Sequence, residues 1–123
     1  MLGVRSLTGE VFEPNEGDLI WTGFDPRTGR EQGGRRPALV ISPAAFWRAS
    51  RFAIVCPITS RVRPFGTSVV LPPGLPISGE ILTGHVRSND TMSRPILSLD
   101  CRVPSSVLED VRAKLAVLLG IIG

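Results

Sequence analysis

Pro37-Ala38-Leu39-Val40-Ile41-Ser42 is a continuous apolar run, and Phe52-Ala53-Ile54-Val55-Cys56-Pro57-Ile58-Thr59 is a second one close behind it. Short runs of this kind, rich in β-branched residues and bounded by turn formers, read as strands buried on both faces. Pro57 cannot donate to a sheet ladder, so it places a bulge or an edge near the end of the second strand. Between the two, residues 44–50 have room for a helical turn. If the two strands pair antiparallel, as close neighbours joined by a short connection do, the start of the first faces the end of the second. Arg36 and Thr59 then lie on the same rim.

Upstream, Gly17-Asp18 makes a turn and Leu19-Ile20-Trp21-Thr22-Gly23-Phe24 reads as a strand. Asp25 to Arg35 is polar and holds Pro26, Gly29, Gly33 and Gly34, which predicts a mobile loop of eleven residues. Residues 1–16 have no period and carry Glu10, Glu13, Pro14, Asn15 and Glu16, so a flexible N-terminal arm is expected there. Residues 17–123 then form a single domain. Downstream, 60–65 is a basic loop, Thr67 to Leu71 a strand, and Pro72 to Pro76 a rigid turn. Ser78 to Arg87 reads as one strand bent at Gly84, and Ile96 to Val103 as the last. The period then changes. Val107, Leu108, Val111, Leu115, Leu118 and Leu119 fall at helical spacing, Ser106 and Glu109 match a capping box, and Gly120 is a natural stop, which predicts a helix over 105–119. The expected fold is mainly β with a C-terminal α-helix: five or more short strands curled into a small barrel.

The bulk properties agree with one such domain. The chain has 123 residues, and its 13 glycines and 11 prolines exclude a helical bundle. The formal net charge is +3, and of 14 basic residues Lys114 alone is lysine. Arginine presents a rigid fork of donors that matches phosphate, so a polyanion is a permissible partner, although a genomic preference for arginine has the same appearance. Cys56 and Cys101 sit in apolar strands and read as reduced packing residues. With one histidine, they cannot build the usual structural zinc site without carboxylates, and no cofactor is expected. The N-terminus lacks an apolar run and no stretch is long enough to span a bilayer, so a cytoplasmic protein without membrane contact is expected.

The common rim is where chemistry would sit. Arg30, Arg35, Arg36, Arg61 and Arg63 gather there, with Glu31 and Gln32 above. Several arginines beside the Thr59 hydroxyl suit a phosphodiester, because they can hold its oxygens and stabilise developing charge. Solvated loop arginines with no ligand fit the same spacing, and both readings stay open on spacing alone.

Gly17-Asp18-Leu19-Ile20-Trp21, Phe24-Asp25-Pro26, Gly29, Glu31-Gln32-Gly33 and Arg36 through Pro43 follow one another in a fixed order that closely resembles the MazF/PemK toxins of bacterial toxin–antitoxin pairs. Cys56 to Ser60 looks like the second block of that family, and Val86-Arg87-Ser88 is similar to its third. The resemblance implies an SH3-like barrel that forms a homodimer. It implies sequence-selective, metal-independent cleavage of single-stranded RNA, leaving 2′,3′-cyclic phosphate and 5′-hydroxyl ends. It also implies a MazE-like antitoxin whose disordered tail occupies the RNA groove. By position, Arg36 and Thr59 match the family's catalytic arginine and threonine. Arginine stays protonated in proteins and is a poor base. Glu31 is a candidate for that role.

The resemblance and the rim together make Arg30, Gln32, Arg35, Arg61, Arg63, Phe65, His85 and Arg87 candidate RNA contacts. Phe65 is a stacking candidate, as are Trp21 and Phe24, although these two suit core or dimer contacts equally. His85 departs from the family pattern, which has glutamine before this Val-Arg pair. It is a candidate acid, base or base-recognition group, or an ordinary strand residue. A Cys56–His85 nucleophile pair is a further alternative. Two other functions use the same architecture: a CcdB-like toxin that clamps gyrase without cutting RNA, and an SH3-like nucleic-acid-binding module without catalysis.

Overall fold

The computed structural model describes residues 4–6, 12–25, 30–64 and 66–121; the side chains of 4–6, 24–25 and 30–34 are not among those described. Eight strands and two helices follow in the order β1 (Val4–Ser6), β2 (Asp18–Asp25), β3 (Arg30–Val40), α1 (Ala44–Ser50), β4 (Phe52–Thr59), β5 (Val69–Val70), β6 (Glu80–Ile81), β7 (Arg87–Asp90), β8 (Ile96–Arg102) and α2 (Ser105–Leu118). They form one open, strongly curled sheet in the order β1-β8-β2-β3-β4-β6-β5, with β7 also on β4. Every pair is antiparallel except β1 with β8. The architecture is the mainly β one with a C-terminal helix that the apolar runs predict.

The central strands alternate their side chains between two cores. Leu19, Leu39, Cys56 and Ile58 face one, closed by Val107, Val111 and Leu115 of α2. Ile20, Ala38, Val40, Ala53 and Val55 face the other, closed by Trp47 of α1. Apolar side chains on both faces explain why β3 and β4 read as unbroken apolar runs. Both cysteines are free, Cys56 buried and Cys101 half-buried.

Antiparallel pairing of β3 with β4 is as expected: Ala38 opposes Pro57, Leu39 opposes Cys56 and Val40 opposes Val55. Pro57 does not make β4 an edge. It lies where β4 changes partner, from β7 over Phe52–Val55 to β6 over Ile58–Thr59. The missing N–H falls at that change, and the Pro57 carbonyl accepts the Leu82 N–H at 2.9 Å.

Three expectations are corrected. The polar stretch predicted as a loop over 25–35 is largely a hairpin. β2 and β3 pair from Leu19↔Leu39 to Thr22↔Arg36 and, beyond a bulge, at Phe24↔Glu31 and Asp25↔Arg30; residues 26–29 lie outside the described ones. A ladder in this projecting part is held by backbone bonds, so no apolar pattern announces it. Ser78 to Arg87 is not one bent strand. A 3-10 turn over Thr83–His85 separates β6 from β7, pinned by the buried Thr83 hydroxyl donating to the Thr67 carbonyl. α2 begins after Pro104 without a side-chain cap, so Ser106 and Glu109 form no capping box. The helix stops at Gly120, whose φ is +72°, but Leu118 and Leu119 are exposed rather than packed. Some described residues before Gly17 make contacts with the rest of the chain. β1 runs parallel to Ile96–Ser98, Phe12 packs on the α1 core, and the Asn15 side-chain oxygen accepts the Ala44 N–H at 2.9 Å.

Behind the α1 core, the Trp47 indole N–H donates to the Thr91 hydroxyl at 2.9 Å, which itself donates to the Arg51 carbonyl at 2.6 Å. Both side chains are buried, and an unpaired buried donor costs about 1–3 kcal/mol. Thr91→Val is isosteric and strands the indole N–H, so urea unfolding should show about that loss of stability with an unchanged m-value.

Candidate functional site

The β3–β4 register places Arg36 and Thr59 two residues beyond the Ala38↔Pro57 pair, at the same end of the two strands. An open groove of about 670 Å³ lies there. Pro37, Pro57, Ile58, Ile77 and Leu82 supply its apolar surface, and Trp21, Arg35, Arg36, Thr59, Ser60, His85 and Arg87 its polar and aromatic surface. Among the described residues no acidic side chain lines it. Its side chains are therefore cationic or hydroxylic over an apolar base, a combination suited to a phosphate chain with stackable bases.

Each polar group is held by local structure. The Thr22 hydroxyl, buried on β2, donates to the Arg36 carbonyl at 3.1 Å, which fixes the backbone while the Arg36 side chain reaches out, exposed. The Arg35 guanidinium lies 5.0 Å from the Trp21 ring centroid, a cation–π contact that turns two flexible groups into one platform. The Thr59 hydroxyl accepts the Arg61 N–H at 3.2 Å. His85 ends the 3-10 turn, its N–H donating to the Leu82 carbonyl at 3.1 Å, and Arg87 opposes Val55 across β4. The turn that breaks the expected strand is thus what carries His85 to the groove.

Of the residues predicted from sequence, Arg35, Arg36, Thr59, His85 and Arg87 come together here. Arg61 and Arg63 do not line the groove; both are exposed on the connection that leaves Thr59. Phe65 and the side chains of Arg30, Glu31 and Gln32 lie outside the described ones. The wall formed by Pro76, Ile77 and Ser78 had no signal beyond a proline-rich turn. Cys56 cannot partner His85, because it is buried in the α2 core and absent from the groove surface.

An open sheet with a cationic, apolar-based groove at one end of its central strands, backed by a C-terminal helix, defines a small, mainly β protein. Residues 15–119 match the model of the PemK-like, MazF-like toxins of type II toxin–antitoxin systems, and the chain belongs to that family. It is 34% identical over 109 residues to the endoribonuclease toxin MazF of Escherichia coli K12, covering 89% of this chain and 96% of that one. It is 32% identical over 119 residues to the endoribonuclease PemK of Escherichia coli, covering 94% and 89% of the two chains. MazF from Deinococcus radiodurans superposes with a TM-score of 0.77 at 46% identity, covering 89% of this chain and 98% of that one. The same toxin bound as MazE–MazF superposes with a TM-score of 0.77 at 42% identity, covering 89% and 97%.

Burial pushes the Cys56 thiol up to about 11. At pH 8 roughly one such thiol in a thousand is thiolate, the reactive form. Cys56 should therefore resist iodoacetamide at pH 8 in the folded protein and react once urea unfolds it, with the modified site read by peptide mass spectrometry.

Proposed function

We propose that this toxin is a metal-independent endoribonuclease that cuts single-stranded RNA at a preferred sequence, leaving 2′,3′-cyclic phosphate and 5′-hydroxyl ends. The observation that carries the reading is the placement of Arg36 and Thr59 side by side on a groove that also presents Arg35, His85 and Arg87. In this reaction the ribose 2′-oxygen attacks the adjacent phosphorus and the P–O5′ bond breaks. The nucleophile belongs to the substrate, so no metal is needed to generate it. DNA lacks the 2′-hydroxyl and is not cut.

Arg36 binds the non-bridging oxygens and stabilises the charge that grows on them in the phosphorane. Thr59 donates its hydroxyl proton to the same phosphate; its oxygen already accepts the Arg61 N–H, which leaves the proton available. Glu31 takes the 2′-proton. Its backbone opposes Phe24 on the hairpin that prolongs Arg36's own strand. The departing 5′-oxygen takes a proton from water in the open groove. Gln32, Arg30, Arg61, Arg63 and Phe65 extend the RNA contacts beyond the reacting phosphate, and the Trp21–Arg35 platform, His85 and Arg87 read the flanking nucleotides.

The toxin works as a homodimer in the cytoplasm, and a MazE-like antitoxin silences it by laying a disordered tail along the same groove. The MazE–MazF assemblies of Deinococcus radiodurans support that partner class.

A cleavage assay on long unstructured RNA with EDTA present tests the reaction. Wild type should give discrete cuts with cyclic phosphate ends, and Arg36→Ala should lower the rate about 10²–10³-fold, the usual cost of losing one charge-stabilising donor. Equal cutting by both proteins removes Arg36 from the mechanism. No cutting by folded wild type would turn the reading toward a binding toxin of the gyrase-clamping kind.

A further inference from the structure

Among the described residues, the reaction above leaves one buried charged group unused. Glu80 on β6 is 1% exposed and sits opposite Thr59 in the β4–β6 pairing. One of its carboxylate oxygens accepts the Arg63 N–H at 2.9 Å, and the other accepts the Ser68 hydroxyl. A single side chain therefore bridges both ends of the connection that leaves Thr59 and returns to β5. Beneath the same spot, Gly79 has a φ of +140°, and a Cβ added there would overlap the Thr59 carbonyl oxygen. The β6 backbone is thus pressed directly onto Thr59. From the far side, the Lys114 ammonium on α2 donates to the Ser68 carbonyl at 2.9 Å.

A buried carboxylate is costly unless its oxygens are satisfied, and an apolar residue of similar volume would fill the same space at no such cost. What the carboxylate adds is a fixed position for Arg63 and Ser68. Arg61, Val62, Arg63 and Pro64 are exposed and bring little packing of their own. Yet it is the Arg61 N–H that occupies a lone pair of the Thr59 hydroxyl, and so narrows the directions its proton can take.

We propose that Glu80 is a positioning residue for the cleavage reaction: it clamps Arg63 and Ser68, so that the Arg61 N–H turns the Thr59 hydroxyl toward the scissile phosphate. It touches neither RNA nor the reacting atoms. The inference rests on the assignment of Thr59 to the reaction.

The test compares wild type, Glu80→Met, Glu80→Gln, Thr59→Val and the Glu80→Met/Thr59→Val double variant. Each is read by RNA cleavage in EDTA and by amide hydrogen exchange in NMR, with no RNA present. Glu80→Met should lower kcat about 10–100-fold with KM little changed, because a small misplacement acts on the chemical step. It should speed exchange of the Arg63 and Arg61 amides while the β3–β4 amides keep their protection. Glu80→Gln keeps an acceptor for the Arg63 N–H and a donor for Ser68, so it should restore most of the rate. The double variant should be no slower than Thr59→Val alone, as two residues on one path require. Wild-type kcat in a folded Glu80→Met, losses that multiply in the double variant, or Gln as damaging as Met would each overturn the proposal. If Glu80→Met does not fold, Ser68→Ala removes the hydroxyl that Glu80 accepts and is read by the same comparisons. Thr59→Val cutting like wild type would instead overturn the assignment of Thr59, and the Arg63 exchange rate would then decide the clamp on its own.

Discussion

The antiparallel ladder between β3 and β4 is the constraint on which the rest of the molecule depends. It carries the side chains that fill both cores, and its register alone puts Arg36 beside Thr59. β4 meets β3 along one side and, along the other, β7 and then β6, with Pro57 at the handover. A strand shared in this way ends one ladder and starts another along the same side. The groove lies at that change of ladder, lined by Pro57 to Ser60 at the end of β4 and by Leu82, His85 and Arg87 where β6 gives way to β7. Core and site are therefore consequences of one pairing, and a register slip by one residue would lose both, because it sends every β3 or β4 side chain to the opposite face.

The groove side chains are disciplined by ordinary backbone chemistry. A buried threonine on β2 holds the Arg36 carbonyl, a ring on β2 carries the Arg35 guanidinium, and a short turn carries His85. None of these supports is itself charged. The cationic groups can then face solvent or RNA while their backbones stay fixed, and the positive field is built without burying positive charge. Buried charge is placed one layer lower, at Glu80, where it meets backbone and hydroxyl donors. Family membership and this geometry speak to different levels: the first says what kind of toxin the chain is, the second says which of its own residues stand where.

What could be read from the sequence followed what the cores demand. Runs such as Pro37–Ser42 and Phe52–Thr59 betray themselves because both faces are apolar, and from their pairing alone the Arg36–Thr59 rim could be argued. The hairpin arm over 30–35 left no trace, because a projecting ladder needs backbone bonds rather than apolar side chains, and Gly33 and Gly34 look like loop residues. The break at Thr83–His85 was hidden for the opposite reason: Ile81, Leu82 and Val86 keep a strand-like apolar pattern through a turn that a buried hydroxyl imposes. The capping box failed because Pro104 already sets the entry to α2 by its fixed φ. Glu80 was invisible because a lone acid in an apolar stretch looks like an exposed strand position until β5 and the connection before it fold over it.

The tie from Lys114 to the Ser68 carbonyl has a consequence for handling the protein. Lys114 is the single lysine of the chain, and its side chain keeps about a third of its exposure. Amine-directed reagents such as dyes, biotin esters and crosslinkers therefore have one side-chain target, on the outer helix and away from the groove. A label there leaves the cationic face clear for ligand, but it trades an ammonium for an amide at the point where the helix meets the connection behind Thr59. Immobilisation through this side chain thus holds the molecule by the helix end of that tie.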